Sequence, residues 1–210
     1  IDKINNFVEI KDLEDSLYLH FLKSHNLTGI RINDADGFVS KTITPYCASE
    51  AIKRLNFATH YNKDLNFSCI ENMTWLEYLV LTIGYTENYY FNFSRLQNLE
   101  LLSLDWNKKL KGLENLNKLN SLHFGKFKGT QELFSNYPLL EDFGLTQGNV
   151  KDLEFLKYFP KLKKLYLAYI PSIIDSSGLR YIYDTVEEID IEGCSNLYIF
   201  NHLENFINLK

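Results

Sequence analysis

The sequence predicts an α/β solenoid, with a curved parallel β-sheet on the concave side and short helices or 3₁₀ turns on the convex side. Three observations predict it. An apolar frame recurs along most of the chain, at intervals of roughly 20–25 residues. Within each copy an apolar spacing of three is followed by a spacing of two. The stretches between copies carry apolar residues near every third position. A step of two places alternate side chains on one side of an extended segment. A fixed period of this length is the mark of stacked units.

The frame reads "LTGIRI" from Leu27, "IKRLNF" from Ile52, "LEYLVL" from Leu76 and "LELLSL" from Leu99. It continues as "LNSLHF" from Leu119, "LEDFGL" from Leu140, "LKKLYL" from Leu162 and "VEEIDI" from Val186, and Leu209 restarts it. A row of amphipathic helices would also show a spacing of three. The closing step of two argues against it, as do Ile, Val and Phe at frame positions, which suit strands. Each copy therefore places a short strand around its middle apolar residue. The chain then turns and returns on the outer side, with Leu110, Leu113 and Leu116, or Leu153, Leu156 and Phe159, pointing inward. One unit cannot bury its own apolar side, so stacking supplies the stability.

The two ends need covers. Residues 1–26 are expected to form an N-terminal helical cap, and residues 27–210 a solenoid of about eight repeats. In "DLEDSLYLHFLKSHN", Leu13, Leu17, Tyr18, Phe21 and Leu22 lie near one helical face, Asp12 can cap the start, and Asn26 follows the end. "NLYIFNHLENF" is the expected cover at the far end. Pro138 and Pro160 stand just before two strands, where proline stops a helical turn. Asp34 to Tyr46 is the longest irregular insertion, with Gly37 as its turn residue.

The copy "LELLSLDWNKKLKGLENLNKL", Leu99 to Leu119, resembles the leucine-rich repeat family, whose signature is L-x-x-L-x-L-x-x-N/C-x-L. Its tail, and "VKDLEFLKYFPKL" from Val150, look like the short internalin-like repeats of bacteria. "VEEIDIEGC" resembles the cysteine-containing variety, with Cys194 in the N/C slot. Along the chain that slot holds Ala35, His60, Gly84, Asn107, Phe127, Gly148, Ile170 and Cys194, so only Asn107 and Cys194 match. The resemblance implies an asparagine ladder between turns; these residues imply a broken one.

Composition narrows the function. The 210-residue chain has a net charge of −5 and a pI near 5.6, opposite to the balance of a nucleic-acid binder. No apolar run is long enough to span a bilayer. No signal-peptide pattern is visible, so a cytoplasmic location is expected, with secretion after removal of a leader as the alternative. Cys47, Cys69 and Cys194 are far apart and odd in number, and are read as buried thiols in a reducing compartment. Sequons begin at Asn26, Asn66, Asn72 and Asn92 in a chain rich in asparagine. His20, His25, His60, His123 and His202 form no short-spaced ligand pair, and no nucleophile elbow or phosphate loop occurs. The reading is a protein that is not an enzyme, with no catalytic residues, metal or cofactor; an enzyme with an unrecognised site is the minor alternative.

The x positions of the frame face the concave side. They place Arg31 and Arg54 near the start, Tyr78, Val80, Leu101, His123 and Tyr166 between, and Glu188, Asp190 and Glu192 at the end, with Trp106 and Tyr169 on the rim. Charged borders around an apolar centre resemble a protein interface. Together with the family resemblance, this implies recognition of a protein or peptide partner by a chain that is monomeric when unbound. Two settings suit it: an immunity-type protein that blocks a partner, or a secreted effector or adhesin part that recognises a host protein.

Overall fold

The structure, a computed structural model, describes residues 7–11, 15–84, 89–198 and 200–210. Its centre is a nine-stranded parallel sheet. The strands are β1 (Phe7–Ile10), β2 (Gly29–Asn33), β3 (Arg54–Thr59), β4 (Tyr78–Ile83) and β6 (Leu101–Asp105), then β8 (Ser121–Gly125), β9 (Asp142–Thr146), β10 (Lys164–Ala168) and β11 (Glu188–Glu192). On the convex side β5 (Phe91–Asn92) pairs with β7 (Leu110–Lys111). Every sheet neighbour is also the next strand of the stack, which is the topology of a solenoid.

The leucine spacing sets the register. Gly29 pairs with Arg54, Arg54 with Tyr78, Tyr78 with Leu101, and Leu101 with Ser121. The line continues through Asp142 and Lys164 to Glu188. Core positions fall between these, so Leu55, Leu79, Leu102, Leu122, Phe143 and Leu165 are all buried. A one-residue slip would turn every one of them toward solvent.

Most return segments carry 3₁₀ turns, at Ser68–Asn72, Leu113–Asn115, Gln131–Asn136, Glu154–Tyr158, Ser177–Ile182 and Phe200–Asn205. Leu113, Leu116, Leu153, Leu156 and Phe159 are buried as expected, and Leu110 is half-buried. Between sheet and turns lies a stack of aromatic rings: Phe124, Phe127, Phe134, Phe143, Phe155 and Phe159 are each fully buried. Phe134 is its hub, with ring centroids of Phe127, Phe143 and Phe155 at 5.0, 5.2 and 4.9 Å.

The N-terminal segment differs in part from its reading as a helical cap. Helix α1 (Asp15–Ser24) is present; Leu22 is buried, and Tyr18, Leu19 and Phe21 pack on the core, while Leu17 is exposed. Asn26 ends it in the left-handed conformation, φ 51°. Asp12 and Leu13 lie outside the described residues. Ahead of the helix, β1 adds a strand to the sheet, with Val8 and Ile10 in register with Ile30 and Ile32. In the frame, the leading position of this unit falls on polar Asn5, which hides it from a search for leucine.

The cysteine reading is corrected as well. Cys47, in helix α2 (Thr44–Cys47), is disulfide-bonded to Cys69 in the next return turn, with Cα atoms 5.9 Å apart. Cys194 is a free, buried thiol. The N/C slot points into the core, which explains its tolerance of Phe127 and Ile170, both fully buried. Where the asparagine is present, Asn107, its Oδ1 accepts the Lys109 backbone N–H at 2.8 Å.

The loop after β3 is held by one carboxylate. Asp34 accepts the backbone N–H groups of His60, Tyr61 and Asn62, each at 2.7 Å, and the Thr59 hydroxyl at 3.0 Å. Partial burial opposes the charge, but these donors outweigh it and hold the carboxyl below the usual aspartate range. A depressed folded pKa gives stability that is present above the unfolded value, about 3.9, and lost as pH falls through the folded one. Asp34→Ala is therefore expected to cost about 2 kcal/mol near neutral pH and to flatten the stability profile below about pH 4. Urea melts of both proteins across that range test it; parallel profiles would refute it.

Candidate functional site

The exposed positions of the sheet form one concave face, and the register above lays the predicted residues along it in rows. Arg54, Tyr78, Leu101 and Glu188 lie in one row, and Arg31, Val80, His123, Tyr166 and Asp190 in the next. Glu192 stands one step closer to the rim, beside Ala168.

Several of these side chains meet. The Arg54 guanidinium lies 4.8 Å from the Phe7 ring centroid and 4.9 Å from that of Tyr78, and the two rings are 5.4 Å apart. Gly29 separates Phe7 from Arg54 in the row, so no side chain intervenes. Burial raises the Tyr78 phenol above its usual value, against the pull of the Arg54 charge. Phe7 was not among the predicted contacts, because its strand was not read as one. Arg31 turns instead toward Asp36, at 3.2 Å.

At the other end, Lys164 pairs with Glu188 at 2.8 Å, and the Tyr169 hydroxyl donates to Glu192. Asp190 has no ion pair among the described residues. The three carboxylates of β11 are exposed, in the alternation that the sequence predicts. Arginines thus gather on β2 and β3, beside Glu9 of β1, and carboxylates on β11, beside Lys164 of β10.

The middle holds a hollow of about 300 Å³, lined by Thr82, Ser103, Asp105, His123, Gly125, Thr146 and Gln147. Two glycines nearby leave room for polar side chains to lean across the neighbouring strands. A Cβ on Gly125 would lie 2.0 Å from Asp105 Oδ1, and one on Gly144 would lie 2.2 Å from His123 Nδ1. Glycine inside a strand is unfavourable by itself and marks a place where another group approaches closely. Beside the hollow, Ser121 Oγ donates to Asp142 Oδ2 at 3.0 Å, and His123 Nε2 lies 3.2 Å from Oδ1 of the same carboxylate. Desolvation opposes the charge on Asp142, but these two partners and Lys164 hold its pKa down. Serine, histidine and aspartate are thus neighbours, yet the hydroxyl is bonded to the carboxylate and not to the imidazole. That is a structural clasp, without the hydroxyl-to-base contact of a nucleophilic relay.

Trp106 sits differently from the reading that placed it outside the core. Its indole packs edge-on against Phe127 and Phe124, at 4.9 and 5.8 Å, and is half-buried. The rim beyond it is unusual in backbone. Lys126, Gln147 and Tyr169 are left-handed, with φ of 53°, 56° and 55°, in the slot that Gly193 fills one repeat later. Each N–H reaches the last carbonyl of the following strand: Thr146, Ala168 and Glu192 in turn. Non-glycine residues cost roughly 1 kcal/mol each in this conformation. The rim thus carries three side chains where glycine would be easier, and Lys126 pairs with Asp105 at 2.9 Å.

No protein-family model matches the sequence, and no curated protein matches it significantly. Solved structures do match in shape. An internalin (inlF) from Listeria monocytogenes aligns with a TM-score of 0.53 at 15% identity, over 84% of this chain and 55% of that one. An internalin C2 from the same species aligns with a TM-score of 0.51 at 16% identity, over 80% of this chain and 72% of that one. The chain thus spans about half the length of the first of these proteins. With the nine-stranded parallel sheet, these similarities define the fold as a leucine-rich-repeat solenoid of the α/β class.

Proposed function

We propose that the chain is a non-enzymatic recognition module that takes a protein partner on its concave face and the adjoining rim. One observation carries this reading. Unlike side chains stand in register on a rigid sheet, with half-buried Tyr78, Val80 and Leu101 beside a polar hollow, cations to one side and carboxylates to the other. Aromatic anchors inside a charged border are the pattern of a protein interface. The polarity of the face would align a partner whose own charges run the opposite way. The partner would also meet the strained rim at Lys126, Gln147 and Tyr169. Unbound, the chain is monomeric.

In the narrower form of this reading the partner is a toxin-like protein that the chain blocks, as an immunity-type inhibitor does. A second setting, a secreted effector or adhesin part recognising a host protein, draws support from the Cys47–Cys69 disulfide, since such bonds persist in oxidising compartments.

The test is capture of partners from the native source under crosslinking. It compares the chain with a Tyr78→Ala, Leu101→Ala, Ser103→Arg variant. Ser103→Arg fills the hollow, and Trp106 is left intact because its ring packs on the core. The expected result is loss of a specific partner with circular dichroism and melting unchanged. Recovery of the same partners in the same amounts would refute the concave-face reading.

A further inference from the structure

A second polar cleft, of about 440 Å³, opens at the turns that lead into the strands, away from the concave face. It is lined by Thr74, Ser94, Arg95, Gln97, Asn98, Asn117 and Lys118. Its residues come from three successive turns: the one before β4, the one before β6 and the one before β8.

The chemistry of the lining is one-sided. Its two charged members are both cations, in a chain of net charge −5. Neither is neutralised by a carboxylate among the described residues. Arg95 Nη1 instead donates to the Asn72 amide oxygen, and Lys118 Nζ donates to Asn98 Oδ1 at 2.7 Å. Asn98 is itself fixed, because its Nδ2 donates to the Thr74 carbonyl at 2.8 Å. A neutral amide holds a cation in place and leaves its charge available, whereas a carboxylate would cancel it. On a neighbouring turn Lys163 shows the contrast, since it is paired with the Glu141 carboxylate at 2.7 Å. The other lining groups, two hydroxyls and three side-chain amides, offer donors and acceptors suited to a polyol. The cleft is open to solvent, with every lining residue but Ser94 exposed, so a ligand would be held by its polar groups and stay partly solvated.

We propose that this cleft binds a small oxyanion-bearing ligand of the sugar-phosphate type. Arg95 and Lys118 take the oxyanion, and Ser94, Gln97, Asn98 and Asn117 take the hydroxyls. Planar guanidinium and mobile ammonium groups are the usual partners of phosphate and sulfate oxygens. The site is independent of the concave face, so either can fail while the other stands.

The test is a backbone-amide NMR titration of the full chain with glucose 6-phosphate, inorganic phosphate and glucose, at matched ionic strength. Signals of residues 94–98 and 117–118 are expected to shift saturably with the first. Equal affinity for inorganic phosphate identifies the oxyanion as sufficient; weaker affinity identifies the sugar ester as the ligand; both support the site. Glucose alone is expected to leave the signals in place. The Arg95→Gln, Lys118→Gln variant changes two exposed side chains and is expected to bind about tenfold more weakly, as two charge-assisted contacts are lost. Absence of saturation, shifts spread over the whole surface, or equal binding by the variant would overturn the proposal.

Discussion

Phe134→Ala is expected to destabilise the chain by about 3–5 kcal/mol and to lower its melting temperature by roughly 6–20 °C. Phe134 is fully buried, and its ring lies within 6.4 Å of the centroids of Phe124, Phe127, Phe143, Phe155 and Phe159. These rings come from β8, β9 and two consecutive return segments, so the hub ties neighbouring repeats to one another. A solenoid is stabilised by such interfaces between units, and total stabilities of only about 5–15 kcal/mol make the loss a large fraction. The cavity cannot refill easily, because each neighbouring ring is held by a further one. Phe134→Leu keeps most of the volume and is expected to cost about 1 kcal/mol. Urea denaturation followed by circular dichroism measures both. A loss below about 1 kcal/mol for the alanine variant would show that the ring stack relaxes around the gap.

Breaking the Cys47–Cys69 disulfide is expected to cost about 3 kcal/mol, from the loop entropy returned to the unfolded chain. The bond closes a loop with a sequence separation of 22 and fastens the Asp34–Tyr46 insertion, through α2, to the return segment of the next repeat. Thiol titration gives a direct check. The unfolded, unreduced chain should show one reactive thiol, that of Cys194, and the reduced chain all three cysteines. In the folded chain Cys194 should react slowly, since burial raises its thiol pKa and shields the sulfur. Three thiols in the unreduced protein would refute the pairing. The same titration on protein from its native source bears on whether the chain works in an oxidising compartment.

Much of this fold was legible in the leucine spacing. The frame from Leu27 to Val186 placed its strands in the sheet and in the right register, because an error of one residue would exchange the core and solvent faces. The rows of the concave face followed from the same arithmetic, down to Gly144 beside Tyr166. The disulfide was legible in principle. Two cysteines 22 residues apart, about one repeat, occupy equivalent places in adjacent return segments, and that spacing outweighs their odd number. Strand β1 was not legible, since it lacks the leading leucine.

The sequence by itself thus determined the architecture and, for the strands from β2 to β11, the register and which strand residues face outward, because a repeated apolar spacing has one efficient way to bury itself. Only the tertiary structure decided which outward residues touch. Arg54 rests against Phe7 and Tyr78, His123 is bound to Asp142, and Arg95 and Lys118 share a cleft held by amides. Trp106 bends inward because Phe127 fills the turn slot with a ring wide enough to meet it. These contacts join residues about 20–50 positions apart, and side-chain size and charge across neighbouring strands choose among them after the backbone spacing has been satisfied.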